Sequence, residues 1–489
     1  MPENAAMHYP AWFFHSDFFV FELPKNQILR ANLELYTYTC MGISARLRNT
    51  LPFPARQNNA AEGEIHMRLR ILVTSTALLC CGTAAATNGY FTHGYGMKAK
   101  GRGGTSMALT GDSFGGANNP ATMVMSGNRL DFGLDLFDPE RSASRSGFGP
   151  GLDGSIHSGR TLFAIPEFGY NRMVRNNLAF GVSVFGNGGM NTDYPGGQFN
   201  CGQGPANMLC GSGSLGVDLT QLIIAPTASY AITANQSIGI APQFAVQRFS
   251  AKGLQAFAYT PGLSSDPANV TNRGPETSHG YGVRVGYFAR LTPNFSVGAA
   301  YAGKISMSRF SRYDGLFARG GKFDIPENYS LGVAWKPVDR LTVALDYERI
   351  NYSGVQSVSN RSLVPYQLGT NQGPGFGWHD VKVWKLGVEY ASSERWTWRA
   401  GFNHGSNPIQ GTDVTFNILA PGVITNHVTL GFTHTMRSGA ELTMAYMHAF
   451  SKTVQGASIL PVFMGGAPGG NERISMHQNS VGISYGWKF

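Results

Sequence analysis

The sequence predicts an all-β fold, a transmembrane antiparallel β-barrel of about 14 strands. Charged residues make up only 14% of the 489 residues, whereas about 25% is typical of globular proteins. Glycine (63 residues) and aromatic residues (12%) are spread along the chain, which favours many short strands joined by turns. No segment after residue 87 approaches the ~20 apolar residues that a membrane helix needs. Since a bilayer admits only helices and closed barrels, the composition favours a barrel.

The formal net charge is +9, but the basic residues are scattered and commonly stand at the ends of predicted strands. A nucleic-acid-binding surface would need a basic patch. We therefore predict no nucleic-acid partner, and a surface that faces anionic lipid headgroups is the better interpretation of the charge.

Residues 67–86 have the features of a secretory signal peptide. Met67-Arg68-Leu69-Arg70 gives a basic start, a short apolar core follows, and Ala84-Ala85-Ala86 gives a small-residue cleavage site. The apolar core is too short to span a bilayer. Residues 1–66 precede this signal and are predicted to be an upstream extension from a mis-called start. A genuine leader domain is the alternative, and N-terminal sequencing of the unprocessed precursor distinguishes the two.

Residues 87–127 differ from the chain that follows them. They are rich in Gly, Ala, Ser and Asn and lack the period-2 alternation of a strand. We predict a compact irregular segment, too small to form a core of its own.

Residues 128–489 carry the predicted barrel. In the last strand Val481, Ile483, Tyr485, Trp487 and Phe489 alternate with small or polar residues. Successive side chains of a strand point to opposite faces, so one set faces lipid and the other a polar lumen. A soluble β-sandwich alternates similarly, but it does not explain the signal peptide, the aromatic strand ends and the terminal Phe together. Segments of this kind begin near Arg129, Thr161, Asn177, Val217, Gln236, Ser278, Asn294, Ile325, Leu341, Asp380, Arg395, Asn426, Ala440 and Met476.

Long connections rich in Gly, Pro and Asn separate several of these strands. Barrels of bacterial outer membranes have long loops outside the cell and short turns inside, so the long connections are predicted to be extracellular. They fall at residues 187–216, 251–277, 354–378, 403–424 and 452–474.

Cys201 and Cys210 are the only cysteines after the predicted cleavage site, and both lie in one long connection. An oxidising periplasm favours a structural disulfide between them. A metal site is the alternative, but no further ligands stand nearby. The glycine-rich run at residues 94–101 follows no predicted strand, so it is weak evidence for a phosphate-binding loop. No metal or other cofactor is predicted.

Several motifs resemble the FadL-type family of outer-membrane transport proteins, whose members carry long-chain fatty acids or hydrocarbons. The resemblance covers essentially all of residues 87–489. Its motifs are Asn88-Gly89-Tyr90-Phe91, Gly101-Arg102-Gly103-Gly104, Asn119-Pro120-Ala121, residues 324–333, and residues 378–387.

The resemblance implies a fourteen-stranded barrel with an N-terminal hatch, or plug, formed by residues 87–127. It places Asn119, Pro120 and Ala121 in the hatch. It also implies that residues 88–91 (Asn88, Gly89, Tyr90 and Phe91) line the ligand pocket. The resemblance further implies a kink in the third strand that opens the barrel wall, and Gly181 or the glycine cluster at residues 186–189 could permit it, because Gly tolerates bulges.

The expected function is passive transport of hydrophobic small molecules by capture at the loops, movement of the hatch and lateral release. Apolar residues in the long connections are the candidate capture surface, since each buried CH₂ contributes about 0.8 kcal/mol. They are Met190, Phe199, Met208, Leu209, Leu254, Phe257 and Tyr259. The ligand's carboxylate, if it has one, could contact Lys98, Lys100 or Arg102, although pairing of these cations with lumen carboxylates is the preferred interpretation.

Two other functions stay open from the sequence. A lipid hydrolase of the outer membrane would need a pair such as His404 and Ser406, and a general diffusion porin or adhesin would lack the hatch. The preferred interpretation is a monomeric, non-enzymatic outer-membrane protein whose partners are its substrate, membrane lipid and lipopolysaccharide. During biogenesis the terminal Phe489 would be recognised by the barrel-assembly machinery.

Overall fold

The computed structural model of the chain describes residues 88–489, apart from Gln203. The predicted signal peptide and the upstream extension lie outside the described residues. No helix in this part of the chain is long and apolar enough to cross a membrane.

Fourteen antiparallel strands in the described part of the chain form a closed barrel. Consecutive strands are neighbours, and β14 closes the barrel by pairing with β1, from Arg129↔Lys488 to Ser146↔Asn471. The strands are β1 Arg129–Ser146, β2 Phe163–Arg175, β3 Leu178–Asn191, β4 Gly216–Thr233, β5 Gln236–Lys252, β6 Glu276–Thr292, β7 Phe295–Ala302, β8 Asn328–Val338, β9 Leu341–Ile350, β10 Val381–Ala391, β11 Trp396–Gly405, β12 Asn426–Thr435, β13 Glu441–Ser458 and β14 Gly469–Lys488.

The alternation in the sequence corresponds to the two faces of the wall. On β1, Phe132, Leu134 and Leu136 are exposed on the outer face, whereas Asp131 and Asp135 are buried in the lumen. The predicted strand count is confirmed, and most predicted starts lie within about three residues of the observed ones.

The predicted start of the last strand, near Met476, is wrong by seven residues, since β14 begins at Gly469. The first residues of this strand include Asn471, Glu472 and Arg473. They lack the apolar alternation of a lipid-facing strand, so the sequence pattern begins later than the pairing.

The two chain ends of the barrel lie at the same edge, where the turns between strands are short. All the long connections lie at the opposite edge, as predicted. Two of them, residues 147–162 and 303–327, were not predicted as long connections. Short helices in these loops are Gln255–Tyr259, Pro267–Asn269, Ser311–Tyr313, Ala318–Gly321, Tyr352–Gly354, Gln356–Ser359, Gly411–Asp413, Val414–Asn417 and Leu460–Met464.

Residues 88–127, here called the N-terminal segment, are mostly buried and contact strands around the barrel. The segment holds the short helix Met97–Lys100 and the 3-10 helix Pro120–Met125. Asn119 caps the latter, since its Oδ1 accepts from the Ala121 N–H at 3.1 Å. Gly239 on β5 permits the close approach, because a Cβ there would clash with the Pro120 carbonyl group.

Candidate functional site

The barrel wall is interrupted between β2 and β3. These strands pair only from Phe168↔Val184 to Arg175↔Leu178. Beyond Val184, β3 continues along β4 as far as Asn191↔Asp218, and residues 185–191 are all buried instead of alternating. The wall gap is the space between residues 163–167 of β2 and residues 185–191 of β3.

A register shift between Gly186 and Gly188 makes Asn187 an extra residue opposite β4. This β-bulge locates the irregularity within the predicted glycine cluster. Gly181 lies outside it, and a Cβ at Gly181 would instead clash with the Met123 side chain. Because β3 continues to Asn191, the prediction of a loop starting at residue 187 is wrong.

A proline in β2 is compatible with the wall gap. Pro166 lies in the part of β2 that has no β3 neighbour. Proline lacks an N–H to donate and favours strand edges, although Pro139, Pro226 and Pro242 lie within paired strands of this wall. Its position is therefore suited to a strand that has an open edge.

The start of the N-terminal segment lies against the open edge of β3. The Thr92 N–H donates to Asn187 O, and the Gly189 N–H donates to Tyr90 O, each at 3.3 Å. In addition, the Tyr95 hydroxyl donates to the side chain of Asn187, at Oδ1, at 3.0 Å. Residues 88–92 thus lie along this end of β3, whereas β2 lies along the rest of β3.

An inner cavity of about 20 Å³ lies beside this contact. Its lining includes aromatic side chains of the cluster around Tyr90, whose ring centroid lies 5.2 Å from Tyr352 and 6.0 Å from Trp378. The Tyr352 hydroxyl accepts from the Tyr90 N–H at 3.0 Å and donates to Asn88 O at 2.7 Å. The lining residues are Gly89, Tyr90, Phe137, Arg141, Gly189, Met190, Asn191, Trp378, Ala420, Pro421, Gly422 and Met476.

An outer cavity of about 40 Å³ lies among the long loops, and its lining is almost entirely apolar. Met190 lines both cavities, so they are neighbours. By size the outer cavity accommodates about three waters, but it offers them few polar partners. The lining residues are Met190, Val217, Leu219, Phe249, Leu254, Phe257, Leu316, Phe317, Phe323, Ser357, Leu368, Pro374, Gly375, Phe376, Phe416 and Leu419.

The residues predicted to bind substrate fall into four groups in the structure. Gly89, Tyr90 and Met190 line the inner cavity, and Met190, Leu254 and Phe257 line the outer one. Asn88 and Phe91 are buried beside the inner cavity without lining it. Phe199, Met208 and Leu209 are buried around the disulfide loop and line neither cavity, while Tyr259 is exposed.

The structure contains a disulfide between Cys201 and Cys210, whose Cα atoms are 5.7 Å apart. A buried ion pair holds this loop to the wall. Arg145 donates to Met208 O at 2.6 Å and contacts Glu472 at 2.7 Å, with side chains only 1% and 0% exposed.

All three cations of the N-terminal segment contact carboxylates of the wall, in agreement with the preferred interpretation. Lys98 lies 2.7 Å from Glu441. Lys100 lies 2.8 Å from Asp135 and 2.7 Å from Glu167. Arg102 lies 2.7 Å from Glu389. Burial, with the neighbouring Arg129, lowers the pKa of Lys98 to about 8.

The residues considered for a hydrolase do not form a catalytic pair. His404 Nδ1 lies 2.7 Å from Asn426 Oδ1. Ser406 Oγ accepts from the Lys382 N–H at 3.0 Å. His404 is exposed on the outer face, so the hydrogen bonds of both residues support the wall and the adjoining loop.

Residues 79–459 match the family described as outer membrane protein transport protein (OMPP1/FadL/TodX). The chain belongs to this family. The FadL/TodX family consists of outer-membrane β-barrels, and the chain is an outer-membrane transport protein of this kind. No curated protein sequence matches it significantly.

Solved structures show the same fold. The toluene transporter TodX of Pseudomonas putida is 20% identical, with a TM-score of 0.58, over 81% of this chain and 99% of that one. A FadL homologue of Pseudomonas aeruginosa is 17% identical, with a TM-score of 0.61, over 84% and 100%. The toluene transporter TbuX of Ralstonia pickettii is 18% identical, with a TM-score of 0.55, over 81% and 99%. At these identities the likeness concerns the fold.

Proposed function

We propose that the protein is a passive outer-membrane channel for hydrophobic small molecules, long-chain fatty acids or hydrocarbons. The observation that carries this proposal is the order of the outer cavity, Met190, the inner cavity and the wall gap. These features form a continuous series of neighbours from the long loops to the side of the barrel. A water-filled pore would serve an apolar solute poorly, because exposing the apolar surface of the solute to water costs free energy.

Capture takes place at the outer cavity. Its lining is contributed by side chains from several loops, with Phe257, Phe317 and Phe416 as aromatic members. Each CH₂ buried there contributes about 0.8 kcal/mol. The cavity of about 40 Å³ is small, so a bound ligand must displace loop side chains. Binding of a ligand in the outer cavity therefore moves the loops that line it.

Release requires the tip of the N-terminal segment, residues 88–92, to leave β3. Its two backbone hydrogen bonds there are 3.3 Å long, beyond the usual 2.7–3.2 Å for N–H···O bonds. The ion pairs of Lys98, Lys100 and Arg102, by contrast, are 2.7–2.8 Å long. The tip has no charged residue, so it is the part of the proposed hatch that moves, and its bonds to the Tyr352 hydroxyl at 2.7 and 3.0 Å must break as it does. The ion pairs hold the remainder.

Exit is lateral, through the wall gap into the outer leaflet. On β4, the outward-facing Leu222, opposite Gly186, is apolar, whereas Asp218, opposite Asn191 at the end of the pairing, is polar. The wall gap thus extends from the apolar belt to its polar boundary. A solute leaving there avoids the aqueous lumen, and its concentration gradient drives the step.

The test is uptake of fatty acids, alkanes and monoaromatic hydrocarbons by a deletion strain that carries the wild-type gene or a Met190→Trp variant. Filling the space between the cavities should reduce uptake at least about tenfold, about 1.4 kcal/mol. Leu386→Trp is the matched control, because Leu386 is exposed on the outer face. Equal uptake with and without the wild-type protein, for every compound, would refute the transport function.

A further inference from the structure

The edge of the barrel that carries the short turns is basic. Exposed Lys or Arg residues lie in or beside every short turn except the one between β4 and β5. In the described part of the chain, the exposed acidic side chains at this edge are Asp339 and Glu394. Because the long loops of an outer-membrane barrel are extracellular, this edge faces the periplasm and its strand ends lie in the inner leaflet.

Two of these cations, Arg172 and Arg175 at the end of β2, have no acidic residue in their turn. Arg340 and Arg395, in other turns, each directly follow an acidic residue. Both Arg172 and Arg175 are exposed, and among the described residues neither side chain forms an ion pair or a hydrogen bond. Their two guanidinium groups are therefore uncompensated positive charges on the surface of the barrel.

Arg172 faces the bilayer. The preceding residue, Asn171, is 0% exposed, and its Nδ2 donates to Met123 O at 2.7 Å inside the barrel. Since successive side chains of a strand point to opposite faces, Arg172 points outward. On the same outer face lies Tyr170, whose ring centroid is 6.1 Å from that of Phe489. Aromatic side chains at strand ends mark the membrane interface, so Arg172, two residues further along, lies at the depth of the lipid phosphates.

We propose that Arg172 and Arg175 bind the phosphate of an anionic phospholipid in the inner leaflet, and that this lipid stabilises the contact between β2 and β3. Guanidinium groups match the geometry of phosphate and bind it through two parallel hydrogen bonds. Each cation close to an anionic membrane surface strengthens the association about fivefold. The inference goes beyond the proposed function, since it concerns neither the transported molecule nor its exit.

The position of the two cations explains why such a lipid would stabilise the wall. The strands β2 and β3 pair only on the periplasmic side of the wall gap, and both cations lie in that paired stretch, with Arg172 opposite Phe180 and Arg175 opposite Leu178. Phe180 is exposed on the outer face of β3. A lipid whose phosphate contacts Arg172 and whose acyl chain packs on Phe180 therefore joins the two strands where the wall gap leaves their pairing short.

The experiment measures hydrogen exchange of the protein in vesicles of phosphatidylcholine alone or of phosphatidylcholine mixed equally with phosphatidylglycerol. In wild type we expect phosphatidylglycerol to slow exchange in residues 168–175 and 178–184 at least about fivefold. Arg172→Gln combined with Arg175→Gln should remove this protection. The matched control, Arg395→Gln combined with Arg437→Gln, removes the same charge from the same edge and should leave the protection unchanged.

Three results would overturn the inference. The first is equal exchange of wild type in the two kinds of vesicle, which needs no variant to fold. The second is an equal loss of protection in the two double variants, because diffuse attraction to a charged membrane would then account for it. The third is protection by inorganic phosphate in phosphatidylcholine vesicles, which would assign the site to a soluble anion. None of these results bears on uptake, so the proposed function is tested separately.

Discussion

The buried pair Arg145–Glu472 gives the sharpest prediction about stability. Its two side chains are 2.7 Å apart and 1% and 0% exposed. Glu472 also accepts hydrogen bonds from the Thr415 and Ser458 hydroxyls, and Arg145 donates to Met208 O. One ion pair thus joins β1, β14, the end of β13, the disulfide loop and the loop before β12.

Glu472→Gln removes one charge and leaves Arg145 buried and unpaired. Such changes cost about 3–5 kcal/mol. The control is Asp193→Asn, since Asp193 pairs with Lys252 at 2.8 Å but with side chains 39% and 46% exposed. An exposed pair contributes about 0–1 kcal/mol. The structure therefore predicts a difference of at least about 2 kcal/mol between the two variants.

The assay is reversible urea unfolding of the protein in lipid vesicles, with hydrogen exchange to show where protection is lost. We expect Glu472→Gln to lower the free energy of unfolding and to expose residues 199–210 and 411–418. Arg145→Met combined with Glu472→Leu should recover most of the loss, because neither charge then stays unpaired. Equal losses in Glu472→Gln and Asp193→Asn would refute the reasoning.

Three further predictions concern the N-terminal segment and the loops. Asp346→Ala removes the acceptor of the Ser106 and Met107 N–H groups, at 2.7 and 3.0 Å; it should cost about 1–3 kcal/mol for each unsatisfied donor and speed hydrogen exchange in residues 104–108. Reduction of the Cys201–Cys210 disulfide should increase proteolysis of residues 199–210 and leave the barrel folded, because the bridge closes only a short loop. Burial, and next Lys100, lower the pKa of His93 to about 4. The unfolded segment therefore binds a proton at higher pH than the docked one, so docking should lose about 2 kcal/mol between pH 7 and pH 5. Hydrogen exchange at residues 88–100, corrected for its intrinsic pH dependence, should show this loss in wild type and a smaller one in His93→Gln, which leaves the stacked His427 ring in place.

The sequence could predict the strands because the wall is one layer thick. Each strand faces lipid on one side and lumen on the other, so Phe132, Leu134 and Leu136 leave a period-2 pattern that any single strand reveals. That pattern fails where a strand leaves the bilayer or turns inward. The start of β14 at Gly469 and the buried residues 185–191 of β3 are the two examples.

The site could be predicted only in part. Met190 and Phe257 stood out as apolar residues in polar loops, and the resemblance indicated Tyr90. The remaining lining residues come together from loops far apart in the chain, as Phe249 and Phe416 do in the outer cavity. No local sequence pattern specifies which residues of different loops will contact one another.

The wall gap and the N-terminal segment are two aspects of one structural problem. An unpaired strand edge in hydrocarbon leaves backbone N–H and C=O groups unsatisfied, at a cost of several kcal/mol each. The open edge of β3 avoids this because residues 185–191 turn inward and pair with Tyr90 and Thr92.

In the proposed mechanism the same two hydrogen bonds close the exit. When the tip leaves, the groups of Asn187 and Gly189 need new partners, and water or the polar group of a ligand can supply them. A substrate that carries its own acceptor can bind the freed Gly189 N–H and so lowers the cost of opening, whereas Asn187 O needs a donor such as water.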